Sequence, residues 1–192
     1  MKGSEAEIIE GCKAGKRESQ RMLYTNFSGK MFAVCLRYSK NREEAEDALQ
    51  EGFIKVFRGI DKYAGAGSFE GWIRKIMVNT ALEAMRKRKI TYYPIDDGRM
   101  EETQDSLPDV FYKIAVQDLL RFIQDLPDGF KAVFNLYAIE GYQHKEIGDM
   151  LGISESTSRS QLTRARQMLQ QRINGYSEGA SLVKNNITES GK

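Results

Sequence analysis

The sequence predicts an all-α protein of two small helical domains joined by a flexible acidic linker. Three observations carry that reading. Apolar residues recur at i, i+3 and i+4 through most of the chain, the spacing of one helix face. The 192 residues include only 3 prolines, and β-branched residues rarely alternate with polar ones. One stretch, 91–113, breaks every period and divides the chain.

The elements follow in order. Ile8, Ile9 and Cys12 sit at helix spacing, and Ala14-Gly15 ends that segment. The second helix is predicted over Arg17–Tyr38, with Met22, Leu23, Phe27, Met31, Val34, Cys35 and Tyr38 as its stripe. Lys40-Asn41 interrupts it. The third is predicted over Arg42–Ile60, with Ala45, Ala48, Leu49, Phe53, Val56 and Phe57 inward. Glu43, Glu44 and Glu46 lie in its first turn, where a helix dipole favours negative charge. The glycine-rich segment Lys62–Ser68 is a break, and Ser68 can cap a fourth helix over Phe69–Arg88. Its inward side reads Phe69, Trp72, Ile73, Ile76, Met77 and Thr80.

Residues 91–113 hold six acids against Arg99 and Lys113. Pro94, Asp96-Asp97-Gly98 and Pro108 argue against any regular element there, so the linker is placed at 91–111. Beyond it, helices are predicted near Phe111–Asp125 and Phe130–Glu140, separated by Leu126-Pro127-Asp128-Gly129. The two domains are thus 1–90 and 112–173. The remainder, 174–192, is rich in Ser, Gly, Asn and Lys and is predicted to be a disordered tail.

Composition narrows the function classes. Hydrophobic residues make up 41% and charged residues 29%, as suits a folded, water-exposed chain. No apolar run approaches the ~18 residues of a membrane span, and the first residues lack a signal-peptide core. A cytoplasmic protein with no direct membrane insertion is expected. Cys12 and Cys35 are the only cysteines and His144 the only histidine. No spacing here suits a metal site or a Cys/His pair, so no metal, no cofactor and no enzymatic activity are expected. The thiols read as reduced and partly buried. The net charge of +2 says little, but its distribution says more: residues 69–89 hold six Lys/Arg against Glu70 and Glu83. Such a block is a candidate nucleic-acid surface.

The densest motif runs from Glu140 to Gln170. His144–Leu151 reads as a short helix, Gly152 as a left-handed stop, Ile153 as a plug for the corner and Ser154 as the cap of the next helix. At about 100° per residue, Ser158, Leu162, Ala165 and Leu169 share one narrow inward face. Ser156, Arg159, Ser160, Thr163, Arg164 and Gln167 share the opposite one. Bidentate arginines beside small hydroxyls suit a recognition helix in a DNA major groove. An ordinary solvated helix face is the plainer alternative. The predicted fold of this domain is therefore helix-turn-helix, winged-helix-like.

Three segments in the right order add specificity: EEAEDALQEGFIKVFRGI at 43–60, FEGWIRKIMVNTALEAMRKRK at 69–89, and LPDGFKAVFNLYAIEGYQHKEIGDMLGISESTSRSQLTRAR at 126–166. Together they resemble the sigma-70 family of bacterial RNA polymerase sigma factors, in its compact extracytoplasmic-function group. The resemblance runs from about Arg17 to Arg172. It implies a transcription initiation factor whose partners are core RNA polymerase, promoter DNA as duplex and as melted strand, and an anti-sigma factor. It implies that Asp47, Gln50 and Glu51 bind core polymerase. It implies that the segment 63–89 reads and melts the minus-ten element. There Lys75, Asn79 and Arg86 share a helix face, and Arg86, Lys87, Arg88 and Lys89 attract phosphates. For the minus-thirty-five duplex, Arg159, Ser160, Thr163 and Arg164 carry over by position, and Ser156 shares their outer face.

Trp72 could stack on a base, but its place beside Phe69 and Ile76 reads as core. The linker's charge suits passage through a basic polymerase channel, with Asp96, Asp97, Glu101 and Glu102 as its candidates. One departure stands out. The family usually has an apolar β-branched residue where this chain has Ser158. A hydroxyl on a buried face costs stability unless it is bonded, and a carbonyl one turn back is the expected partner. The rival readings are a conventional helix-turn-helix regulator that binds duplex DNA without polymerase, an enzyme using Glu46, Asp47 and Glu51 as paired acids, and a protein-binding adaptor.

Overall fold

The computed structural model describes residues 4–88 and 116–189. The chain divides into two compact units, Met1–Ile90 and Thr91–Lys192. Among the described residues there is no strand, so the helix-turn-helix stands without a β wing. The predicted acidic linker at 91–111 lies outside the described residues.

The first unit contains α1 (Glu5–Lys13), α2 (Arg17–Tyr38), α3 (Arg42–Gly59) and α4 (Phe69–Lys87). Each short polar side chain ahead of a helix does the local work of starting it. Ser4 and Glu7 form a reciprocal capping box on α1, Asn41 Oδ1 accepts from the Glu44 amide at 2.9 Å, and Ser68 Oγ accepts from the Gly71 amide at 3.1 Å. These bonds satisfy amides that a helix's first turn leaves without partners. The third helix ends one residue earlier than its apolar period suggests. Ile60–Lys62 tightens into a 3₁₀ turn instead, with Ile60 still buried.

α2 packs on α3 and α4, and α1 lies on α2. Leu23, Met31, Tyr38, Phe53, Val56, Phe69, Ile73 and Met77 fill the centre, all buried. Each large apolar side chain so buried contributes about 2 kcal/mol. The inward face of α4 differs from the predicted one. Trp72 and Ile76 are only half-buried, whereas Val78, Ala81, Leu82 and Met85 are buried. α4 is embraced by two partner helices, so its buried arc is wider than a single stripe.

The second unit contains α5 (Val116–Gln124), α6 (Asp128–Phe134), a π-helical turn (Asn135–Ile139), α7 (His144–Leu151) and α8 (Glu155–Glu189). The helix predicted over Phe130–Glu140 is therefore real but changes winding midway: the Glu140 amide reaches back five residues to the Asn135 carbonyl at 3.0 Å. α6 and α7 pack on α8, and α5 joins them. The backbone of α8 continues to Glu189, through residues 174–189 where the sequence reading ends in a disordered tail. No proline follows Pro127. Extending a helix that is already nucleated fixes one residue per hydrogen bond, without a second nucleation cost.

Candidate nucleic-acid and protein interfaces

The helix-turn-helix is built by two glycines and a cap. Gly152 takes φ +70° and ψ 36°, the left-handed stop that the sequence implied. The Gly152 and Ile153 amides both donate to the Gly148 carbonyl, at 2.8 and 3.1 Å. Gly148 allows the close return of the chain: a Cβ there would lie 2.8 Å from the Ile153 carbonyl oxygen. Ser154 Oγ then accepts from the Thr157 amide at 3.0 Å and starts α8.

α8 presents the two predicted faces. Leu162, Ala165 and Leu169 are buried, and so is Ser158. Ser156, Arg159 and Arg164 are exposed, with Ser160 and Thr163 half-buried beside them. Their hydrogen bonds define what each can offer. Arg159 Nη2 pairs with Glu155 at 2.5 Å, an exposed pair that a phosphate or guanine can displace. Ser160 Oγ donates to the Thr157 carbonyl at 3.0 Å, and Thr163 Oγ1 to the Arg159 carbonyl at 3.2 Å. A hydroxyl that donates keeps lone pairs with which it can accept. Gln161 is buried as well, although it belongs to neither predicted face.

Ser158 finds a different partner from the expected carbonyl. Its Oγ lies 2.8 Å from His144 Nδ1, across from α8 to the first residue of α7. The lone histidine is thus a core residue that satisfies a core hydroxyl. Sequence reasoning missed the pairing. Its signal was two polar residues, fourteen apart, on otherwise apolar inward faces of consecutive helices.

In the first unit, the basic face of α4 is largely as predicted. Lys75, Asn79, Arg86 and Lys87 are exposed. Arg88 is different. Its guanidinium pairs with Glu44 and donates to the Tyr38 carbonyl at 3.4 Å, which ties the end of α4 to the α2–α3 corner. It is a structural cation more than a phosphate ligand. Burial alone would raise the Glu44 carboxyl, but the Lys40 amide and the Arg88 guanidinium outweigh it and hold Glu44 below its ordinary value. Lys89 lies outside the described residues.

Ahead of α4, the Tyr63–Ser68 loop is anchored by the Tyr63 hydroxyl, which donates to the Gly67 carbonyl at 2.9 Å. Tyr63, Phe69 and Trp72 form an aromatic cluster: Tyr63 lies 5.0 Å from Phe69, and Trp72 stacks on Phe69 at 5.8 Å with 11° between planes. Phe69 is fully buried and belongs to the core. Trp72, half-buried, lies at the edge of the core on the helix face that carries Lys75 and Asn79.

On α3, Asp47, Gln50, Glu51 and Ile54 are all exposed, on one face at i, i+3, i+4 and i+7. The structure splits them between two grooves. Gln50 and Ile54 border a groove of about 740 Å³ between α2 and α3, lined also by Tyr24, Phe32 and Phe57, with the buried Phe53 at its floor. Asp47 and Glu51 border another of about 410 Å³ between α3 and α4, with Lys55, Glu83 and Lys87. The aromatic groove beside the acidic positions was not foreseen. Ile54 and Phe57, at helix spacing from Gln50, were its sequence signal.

Cys12 and Cys35 are free and buried, and burial pushes the Cys35 thiol up to about 12. Among the described residues, no group of three or more His, Cys, Asp or Glu is placed to hold a metal ion, and no helix is long and apolar enough to cross a membrane.

An acidic and aromatic surface, a cationic helix behind a glycine loop, and a separate helix-turn-helix make a combination that duplex-only regulators do not require. The first unit matches sigma-70 region 2 over residues 23–90, and the second matches sigma-70 region 4 over 117–169. The chain belongs to the sigma-70 family of RNA polymerase sigma factors, in its extracytoplasmic-function group. It is 33% identical over 151 residues to the ECF RNA polymerase sigma factor SigE of Mycolicibacterium smegmatis, covering 77% of this chain and 58% of that one. It is 28% identical over 181 residues to the ECF RNA polymerase sigma-E factor of Haemophilus influenzae, covering 86% and 93% respectively. The fold is similar to that of CnrH, solved in complex with the cytosolic domain of CnrY. That likeness has a TM-score of 0.50 at 16% identity and covers 90% of this chain and 99% of that one.

Proposed function

We propose that this chain works by dividing promoter recognition between its two units while core polymerase holds both. In the first unit, Asp47, Gln50 and Glu51 of α3 face a basic polymerase surface. Lys75 and Asn79 of α4, behind the Tyr63–Ser68 loop, read the melted minus-ten strand. Arg86 and Lys87 attract its phosphates without regard to sequence. Trp72 offers an aromatic edge next to them. In the second unit, Arg159, Ser160, Thr163 and Arg164, with Ser156 at the helix start, read the minus-thirty-five duplex in the major groove.

The observation that carries this reading is the outer face of α8. It gathers the arginines and hydroxyls on one side of a helix whose other side is fully committed to the core. Two modest contacts on one chain reach high effective concentration only when both sites are suitably spaced, so promoter spacing becomes part of specificity. The chain does no covalent chemistry in this account; the polymerase does. It works in the cytoplasm, and the acidic and aromatic face of α3 is the surface an anti-sigma factor would cover.

In-vitro transcription with purified core polymerase and a genomic DNA pool tests the proposal. Promoter-specific transcripts that depend on this chain are expected. Tight duplex binding with no core binding and no initiation would favour a conventional regulator.

A further inference from the structure

Four side chains of the second unit form a closed path that leaves α8 and returns to it. Ser158 Oγ of α8 lies 2.8 Å from His144 Nδ1 of α7. The His144 ring stacks on Tyr137 of the π-helical turn, with centroids 4.5 Å apart and 18° between planes. The Arg166 guanidinium of α8 lies over the Tyr137 ring at 5.8 Å. Ser158 and His144 are both buried. The two points of attachment on α8 are eight residues apart in sequence, just over two turns, and offset by about 80° around the axis. Arg159, Ser160, Thr163 and Arg164 all lie between them.

We infer that the Ser158–His144–Tyr137–Arg166 path is a bracket that fixes the rotation of α8 about its own axis and so sets the phase of the residues proposed to read duplex DNA. This rests on the proposed role of the outer face of α8.

The argument is one of direction. Apolar contacts such as those of Leu162 and Leu169 favour burial but tolerate small rotations. A hydrogen bond weakens steeply once its geometry is bent, and a ring stack is likewise oriented. A buried polar pair among apolar contacts therefore specifies register beyond what packing specifies. At a side-chain radius of roughly 6 Å, a turn of about 10° displaces a contact group by about 1 Å. That is enough to spoil a bidentate contact, which needs placement within about 0.5 Å. One anchor alone would leave α8 free to pivot; two, offset around the axis, resist it. His144, Ser158, Tyr137 and Arg166 are positioning residues here and touch no DNA.

The test uses full-length chain bound to core polymerase. Duplexes carrying an upstream element enriched from a random pool by the wild-type holoenzyme are compared with scrambled duplexes. Ser158→Ala, His144→Leu and the double variant should each lower the cognate-to-scrambled ratio by about tenfold, the double no further than the singles. Scrambled-duplex affinity should stay as in wild type, and Ser158→Thr, which keeps the hydroxyl, should restore the ratio. Circular dichroism melting confirms that each variant is folded at the assay temperature, and Tyr137→Leu serves as an independent break in the path. An equal loss of cognate and scrambled binding would mean a merely structural role and overturn the bracket. An unchanged ratio, with Arg164→Ala losing it, would overturn the bracket alone. An unchanged ratio in Arg164→Ala as well would overturn the reading of α8 and the bracket with it.

Discussion

Glu44 and Arg88 show how one pair can make the first unit sensitive to acid. The Glu44 carboxyl is held below its ordinary value of 4.5, so the folded state binds its proton less readily than the unfolded chain does. Its contribution is therefore present above about pH 4.5 and is lost as pH falls through the lower, folded value. Trp72 is the single tryptophan and reports on the first unit by its fluorescence. Urea midpoints measured that way should drop below pH 4.5 in the wild type, and Glu44→Gln should flatten part of the drop. Because both side chains stay partly in water, Arg88→Ala at neutral pH should cost only about 1 kcal/mol. Cys35 gives a second residue-scale test. A thiol buried and pushed up to about 12 should resist alkylation at pH 8 until the unit unfolds. Mass spectrometry of alkylated protein across a urea series checks it, and ready labelling of the native state would count against the buried core.

At the scale of elements, the turn between α7 and α8 is the tightest constraint. Gly148→Ala sets a Cβ against the Ile153 carbonyl and should destabilise the second unit by about 1–3 kcal/mol. Gly152→Ala forces a side chain into the left-handed region and should cost about 1–2 kcal/mol. Thermal unfolding by circular dichroism measures both. This turn was legible in the sequence because glycine, cap and apolar residues each leave a local mark. α2 and α7 were legible for the same reason: their bounds are set by their own residues. The unforeseen features depend on partners distant in sequence. The π-helical turn after Phe134, the wide buried arc of α4 and the Ser158–His144 bond all answer to packing from other helices, which no local period records. Arg88 read as a surface cation because its partner, Glu44, is forty-four residues away.

For the whole molecule, the two units explain why neither motif suffices. A helix-turn-helix face of two arginines and small hydroxyls offers limited discrimination, since each good base contact is worth about 1–3 kcal/mol. On the proposed reading, Arg86 and Lys87 of α4 add affinity with little sequence preference, and Lys75 and Asn79 supply its discrimination. On the proposed division of labour, the two units held on a polymerase act as a bivalent reader. Initiation should therefore fall steeply when base pairs are inserted between the two promoter elements, and run-off transcription on a spacer series measures this. Raising salt should weaken promoter binding with a log–log slope set by the number of phosphate contacts, and Lys87→Ala should make that slope shallower by about 1.

The division of labour is tested most directly by promoter selection with three proteins. Wild type, Arg164→Ala and Asn79→Ala are each combined with core polymerase and a promoter pool randomised at both elements, and the transcripts are sequenced. Arg164→Ala should relax the preference at the upstream element and leave the downstream one intact, and Asn79→Ala should do the reverse. If both variants altered the same element, or neither changed the selected sequences, the assignment of one reader to each unit would be contradicted.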